Sequence, residues 1–129
     1  MKWLMATFFI VFSISCSSLP KREPISILSS EKVVDNESQE VSICTEFKLT
    51  DTEIENYFSI AESMSPIESN QKLTILPCKY SGELKLSGKL YKYEIYAGGS
   101  GFLYDQEGWL YRGYLCESNM CCSMFKSLC

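Results

Sequence analysis

Hydrophobic residues fall into three regimes along the chain. Trp3 to Ile14 is an apolar run broken only by Thr7 and Ser13, and residues 17–40 are dominated by Ser, Glu and Lys with Pro20, Pro24 and a thin scatter of Ile and Val. From Val41 onward the apolar positions become periodic. Val41, Ile43, Phe47 and Leu49 share one face of an alternating segment, the pattern of a first strand. Thr50-Asp51-Thr52-Glu53 is a capping box, in which the Thr50 hydroxyl accepts the Glu53 amide and the Glu53 carboxylate reaches back. Ile54, Tyr57, Phe58, Ala61 and Met64 then recur at three- and four-residue spacing, which predicts a helix with one apolar stripe packed on a sheet of the same protein. Pro66 is expected to end it, because a proline pushes the preceding Ser65 out of helical geometry.

Beyond Cys78 the period drops to two. Cys78, Tyr80, Gly82, Leu84 and Leu86 alternate with Lys79, Ser81, Glu83, Lys85 and Ser87, a half-buried strand with one wet face. A two-residue turn at Ser87-Gly88 would pair Leu84 with Tyr91, Gly82 with Tyr93 and Tyr80 with Ile95 on one face, and Glu83 with Lys92 on the other. A second hairpin is expected to turn at Asp105-Gln106-Glu107-Gly108, bringing Gly101 to Tyr104 alongside Trp109 to Leu115, with the face of Trp109 undetermined. The fold class predicted is α+β: one helix packed on a four- to five-stranded antiparallel sheet, in a single domain over residues 41–129. Its element order is similar in shape to cystatin-like architecture, a likeness that carries no function.

The first regime sets the compartment. A lone Lys2, an apolar core and small residues around Ser15 form an export signal over residues 1–15. As a helix its core would span about 18 Å, short of the ~30 Å hydrocarbon layer. Cys16 is the candidate lipidation site, with Ser15, Ser17 and Ser18 beside it and Ser13 where a lipoprotein signal usually has Leu; ordinary cleavage after Ser15 or Ser18 also satisfies the small-residue rule. Residues 16–40 then read as a lipidated or flexible tether. Acylation or removal of Cys16 converts seven cysteines into an even set, Cys44, Cys78, Cys116, Cys121, Cys122 and Cys129, which suits disulfides in an oxidising compartment. A core of about 90 residues is small enough to need them. Of the 15 possible pairings, Cys122 with Cys129 is disfavoured if the tail is helical, since the two would lie about 10 Å apart along the axis. The expected partners of the tail are therefore Cys44, Cys78 and Cys116.

Charge and residue types exclude several functions. Removing the leader takes away only Lys2, lowering the formal net charge from −4 to −5, and the remaining basic residues are scattered among carboxylates, so nucleic acid is a poor partner. There is no histidine, hence no imidazole base and no Ser-His-Asp or Cys-His arrangement. Gly98-Gly99-Ser100-Gly101-Phe102 resembles a nucleophile elbow until Phe102 takes the place of the last glycine, and its glycines are better explained by a bend between strands. Asp51, Glu53, Glu55, Glu83 and Glu94 read as solvated structural carboxylates. No Cys-x-x-Cys is present, which argues against thioredoxin-type chemistry and, together with the lack of histidine and an oxidising compartment, against zinc, and nothing points to a cofactor. Eight tyrosines exceed what one face of a small core can hold, so some should be exposed as interface anchors. Lys92, Glu94 and Tyr96 on the hairpin, and Arg112 and Tyr114 on the last strand, are the candidate partner-binding residues.

Leu76-Pro77-Cys78, the stretch Tyr93-Glu94-Ile95-Tyr96-Ala97-Gly98-Gly99-Ser100-Gly101 and the terminal cysteines resemble small exported bacterial proteins found with type VI secretion effectors and regarded as immunity proteins. The likeness covers about residues 45–116 and assigns no contact residues. It implies a periplasmic protein that binds and blocks a toxin acting on envelope lipid or peptidoglycan, reaching the membrane only through a lipid at Cys16. The alternatives are a non-enzymatic envelope lipoprotein with a structural or assembly role and, third, a small secreted hydrolase.

Overall fold

The computed structural model describes residues 23–129; the expected leader, Cys16 and the start of the expected tether lie outside the described residues. Among the described residues, seven strands form one antiparallel sheet: β1 (Ile25–Ile27), β2 (Glu31–Val34), β3 (Glu62–Met64), β4 (Cys78–Leu86), β5 (Lys89–Tyr96), β6 (Ser100–Tyr104) and β7 (Leu110–Leu115). The order is β1-β4-β5-β6-β7-β3, with β2 following β1 along the same side of β4. Helices α1 (Asp51–Ile60), α2 (Pro66–Lys72) and α3 (Asn119–Met124) complete an α+β fold.

The central hairpin has the predicted register on both faces. Leu84 pairs with Tyr91, Gly82 with Tyr93, Tyr80 with Ile95 and Glu83 with Lys92. Ser87 and Gly88 both adopt positive φ (51° and 80°), the geometry that lets a two-residue loop follow the twist of its strands. The second hairpin also turns where expected, with Gly108 at φ 88° and Trp109 largely exposed beside the turn. Helix α1 starts at the predicted capping box: Glu53 N donates to Thr50 Oγ1 and Thr50 N donates to a Glu53 carboxylate oxygen, each at 3.1 Å.

Three expectations of secondary structure are corrected. Val41–Cys44 is a single 3₁₀ turn, and the chain to Leu49 is irregular rather than a strand. Its alternation is misleading because burial falls on Cys44, Phe47 and Leu49 while Ile43 is exposed. The segment is held by the Cys44–Cys78 disulfide and by Lys32, whose ammonium donates to Cys44 O and Phe47 O. Helix α1 ends at Ile60, six residues before Pro66, because Ala61 turns extended and Glu62–Met64 pairs with β7. Pro66 instead opens α2, at a position whose amide needs no partner, behind the Ser65 cap. Finally, part of the expected tether is sheet: Ile25–Ile27 pairs with Leu84–Leu86 and Glu31–Val34 with Cys78–Ser81. Ser29 crosses above Gly82, where a Cβ would overlap the Ser29 carbonyl, and that carbonyl accepts a 2.8 Å bond from the Tyr93 hydroxyl.

The core lies between α1 and one face of the sheet. Ile54, Tyr57 and Phe58 of α1 meet Leu84, Tyr93, Ile95, Leu103 and Tyr114, and Phe125 and Leu128 of the tail close the end. Tyr57, fully buried, donates to Gly99 O at 2.7 Å, and burial holds its phenol well above the ordinary range. The disulfides are Cys44–Cys78, Cys116–Cys121 and Cys122–Cys129. The last is the pairing that helical spacing disfavoured. It forms because α3 stops at Met124, after which the chain reverses and brings the two Cα atoms to 5.6 Å.

Two outcomes follow. Cys44–Cys78 closes the longest of the three loops, spanning 34 positions, so Cys44→Ser/Cys78→Ser should lower unfolding free energy by about 4 kcal/mol in urea titration. Gly82→Ala should release β1 and β2, read as faster amide exchange at residues 25–34 with the β5–β6 amides still protected.

Candidate binding face

The two faces of the sheet are covered unequally. Strand alternation sends Leu84, Leu86, Tyr91, Tyr93 and Ile95 toward α1, and Glu31, Val33, Lys79, Ser81, Glu83, Lys92, Glu94 and Tyr96 to the other side. Among the described residues, only the β7 end of that second side is capped, by α2. Buried Ser69 sits over Gly113, where any Cβ would collide with the Ser69 hydroxyl, and Ser69 Oγ is satisfied by Ser65 O at 2.9 Å. Met64 is buried beside Gly113, and Phe102 is buried on the same side of the sheet. No described residue outside the sheet caps the surface across β2, β4 and β5 in the way α2 caps β7.

A compact polar and aromatic cluster occupies this open face. The Lys79 ammonium pairs with the Glu94 carboxylate, the Tyr96 hydroxyl donates to Glu94 Oε2 at 3.1 Å, and the Lys79 cation lies 5.6 Å from the Tyr96 ring centroid. Phe102 touches both neighbouring rings, edge-on to Tyr96 at 5.8 Å and stacked on Tyr104 at 6.2 Å. Burial, followed by the charge of Glu94, holds the phenols of Tyr96 and Tyr104 above the ordinary range. At one end the face runs into a groove of about 370 Å³ lined by Val33, Asp35, Glu40, Ile75, Leu76, Lys79 and Tyr96. Val33 and Ile75 are exposed there, beneath an acidic rim of Asp35 and Glu40.

Three of the five residues expected to bind a partner, Lys92, Glu94 and Tyr96, therefore stand together on the open face. Arg112 and Tyr114 stand on the opposite one. Tyr114 is 2% exposed and packs edge-on against Phe58 at 5.0 Å, so it belongs to the core. Arg112 lies at the margin of that core, 3.5 Å from Glu23 and donating to the Tyr114 and Tyr111 hydroxyls at 3.2 Å each. The bulge between Leu103 and Tyr104 shifts the β6–β7 register without bringing Arg112 to the hairpin's wet side. Sequence reasoning missed Val33, Lys79 and Tyr104. Lys79 carried a signal, since the predicted hairpin register sets it opposite Tyr96; Tyr104 carried none, because no pairing of its strand with Lys92 was expected, and Val33 carried none, because its own strand was not expected.

Ser100 is buried in β6 between strand neighbours, and Gly98 and Gly99 take positive φ (91° and 101°) in the turn before it, as a bend requires. No helix among the described residues is long and apolar enough to cross a membrane. No protein family matches the chain, and neither the curated proteins nor the solved structures contain a significant match to it.

Removing the Glu94 charge isolates its electrostatic role. In Glu94→Gln, the ionisation midpoints of Tyr96 and Tyr104 should fall, yet stay above about 10 because burial persists; tyrosinate absorbance in a pH titration measures both. Folded-state phenols held high mean that the unfolded chain loses its protons first, so stability is intact below pH of about 10 and declines as pH rises further. Tyr93, pushed up to about 12 by burial and then by Asp51, adds to this decline.

Proposed function

We propose that this protein is an exported, disulfide-stapled binding domain that acts as an immunity-type inhibitor, occupying a protein toxin aimed at envelope lipid or peptidoglycan. The observation that carries the reading is the open sheet face. Tyr96 and Tyr104 are ordered on it by Phe102 and Glu94, so they can be buried by a partner at little further cost in side-chain entropy. Val33 and Ile75 supply apolar contact beside them, and Lys92 and Glu83 supply a polar rim. The export signal at residues 1–15, a lipid at Cys16 and the resemblance to exported immunity proteins support a periplasmic site of action. The acidic rim of Asp35 and Glu40 favours a basic patch on the partner.

The test is purification of the mature protein from its own periplasm, with and without substitutions on the open face. A stoichiometric secreted enzyme is expected with the parent protein. Val33→Asp and Tyr96→Ala should each weaken its retention about tenfold or more, the scale of one lost interface anchor, whereas Lys126→Ala on the exposed tail should not. Recovery of an envelope-assembly protein would favour the structural lipoprotein reading, and recovery of no stoichiometric protein would defeat both.

A further inference from the structure

The sequence argument against metal rests on linear spacing, on the lack of histidine and on an oxidising compartment, and the fold removes the first of these. Cys116 lies at the end of β7, Cys121 and Cys122 in α3, and Cys129 at the last position of the chain. The reversal after α3 gathers them, so that the sulfurs of Cys116, Cys122 and Cys129 all lie within 4.8 Å of one another. Cys121 is bonded to Cys116 and so places the fourth sulfur at the same point. Both sulfurs of the Cys122–Cys129 pair also lie near Cys116 O, at 3.9 and 3.6 Å. A tetrahedral zinc thiolate has sulfur–sulfur edges of about 3.8 Å, given Zn–S bonds of about 2.3 Å. The Cys116 sulfur stands within 4.8 Å of both Cys122 and Cys129, and opening the two disulfides lets the bonded sulfurs part to that spacing.

We propose that the tail has two interchangeable closures: two disulfides when oxidised, and one zinc ion held by Cys116, Cys121, Cys122 and Cys129 when reduced. Each disulfide takes two electrons and two protons from a dithiol reductant, which itself closes to a disulfide. Binding of one Zn²⁺ then releases the four thiol protons. Either closure keeps Phe125 and Leu128 in the core, where Phe125 lies 6.2 Å from the Tyr57 ring. Cys44 and Cys78 take no part, because they tie the opposite segment of the chain to the start of β4.

The experiment uses the mature chain reduced with a dithiol, freed of reductant without air and titrated with Co²⁺ and then Zn²⁺. One equivalent of Co²⁺ should give the visible bands of a tetrahedral tetrathiolate, and one equivalent of Zn²⁺ should abolish them. Cys44→Ser/Cys78→Ser should bind with unchanged stoichiometry, while Cys129→Ser should lose affinity about tenfold or more. Near-ultraviolet circular dichroism, which reports the packing of Tyr57 and Phe125, should recover on metal addition to the reduced protein. If the reduced chain unfolds, Zn²⁺ competition against a chromophoric chelator still gives the stoichiometry. Absence of binding, equal loss in the Cys44/Cys78 variant, or binding without recovery of the dichroism would each overturn the proposal.

Discussion

One buried hydroxyl organises the junction of helix, sheet and tail. Tyr57 carries a polar atom into the centre of an aromatic cluster with Phe58, Tyr114 and Phe125, where leaving it unpaired would cost about 1–3 kcal/mol. The Gly99 carbonyl accepts it, and the same carbonyl also accepts Cys116 N at 3.0 Å. That double acceptor ties α1, the β5–β6 turn and the end of β7 together. Its geometry constrains each neighbour. Gly99 must turn at positive φ, Gly101 must lack a side chain because a Cβ would overlap the Tyr57 hydroxyl, and Cys116 is delivered to the site where the tail cross-links begin.

What could be read from sequence follows from how many independent signals each segment carried. The β4–β5 register was legible because its two faces agreed: aromatics facing glycine and aliphatics on one, Glu83 facing Lys92 on the other, and a turn sequence that fits only one offset. A slip by one residue would have split Leu84 and Tyr91 between the two faces and left one of them in water. Helix α1 was legible from its cap and stripe, whereas its end was not, since Met64 continues the helical spacing while its backbone already belongs to β3. The β1–β2 segment was hidden for a different reason. Ile25, Ile27 and Val34 are only partly buried, so their pattern is as weak as that of a solvated linker. What holds the segment is a gap above Gly82 and the hydroxyl of Tyr93, neither of which is a feature of the segment itself.

The unequal coverage of the sheet has a similar origin. The face toward α1 is closed by three separate pieces, the helix, the Phe47 loop and the tail, and Phe47 packs edge-on to Tyr80 at 5.3 Å. Among the described residues the other face has only α2, seven residues long, which can approach β7 because Gly113 leaves room for Ser69. The remaining aromatics on that side are not abandoned to water. Phe102 is buried and Tyr96 and Tyr104 are half-covered, with Glu94 taking the Tyr96 hydroxyl and the Lys79 charge together. Such a patch is stable alone and still offers flat aromatic area, the combination on which the proposed interface relies.

The cysteines show how far topology can depart from spacing. On a continuous helix Cys122 and Cys129 could not bond, yet the early end of α3 at Met124 folds the last residues back across Cys116. Ser127 fixes this return by donating to Lys48 O at 2.8 Å, which joins the tail to the irregular segment held by Cys44–Cys78. The two ends of the core cover are thereby linked by a hydrogen bond as well as by their separate disulfides. Loosening the tail would expose Phe125 and Leu128 and uncover one side of Tyr57, so its cross-links protect the same buried hydroxyl from which the rest of the architecture is built.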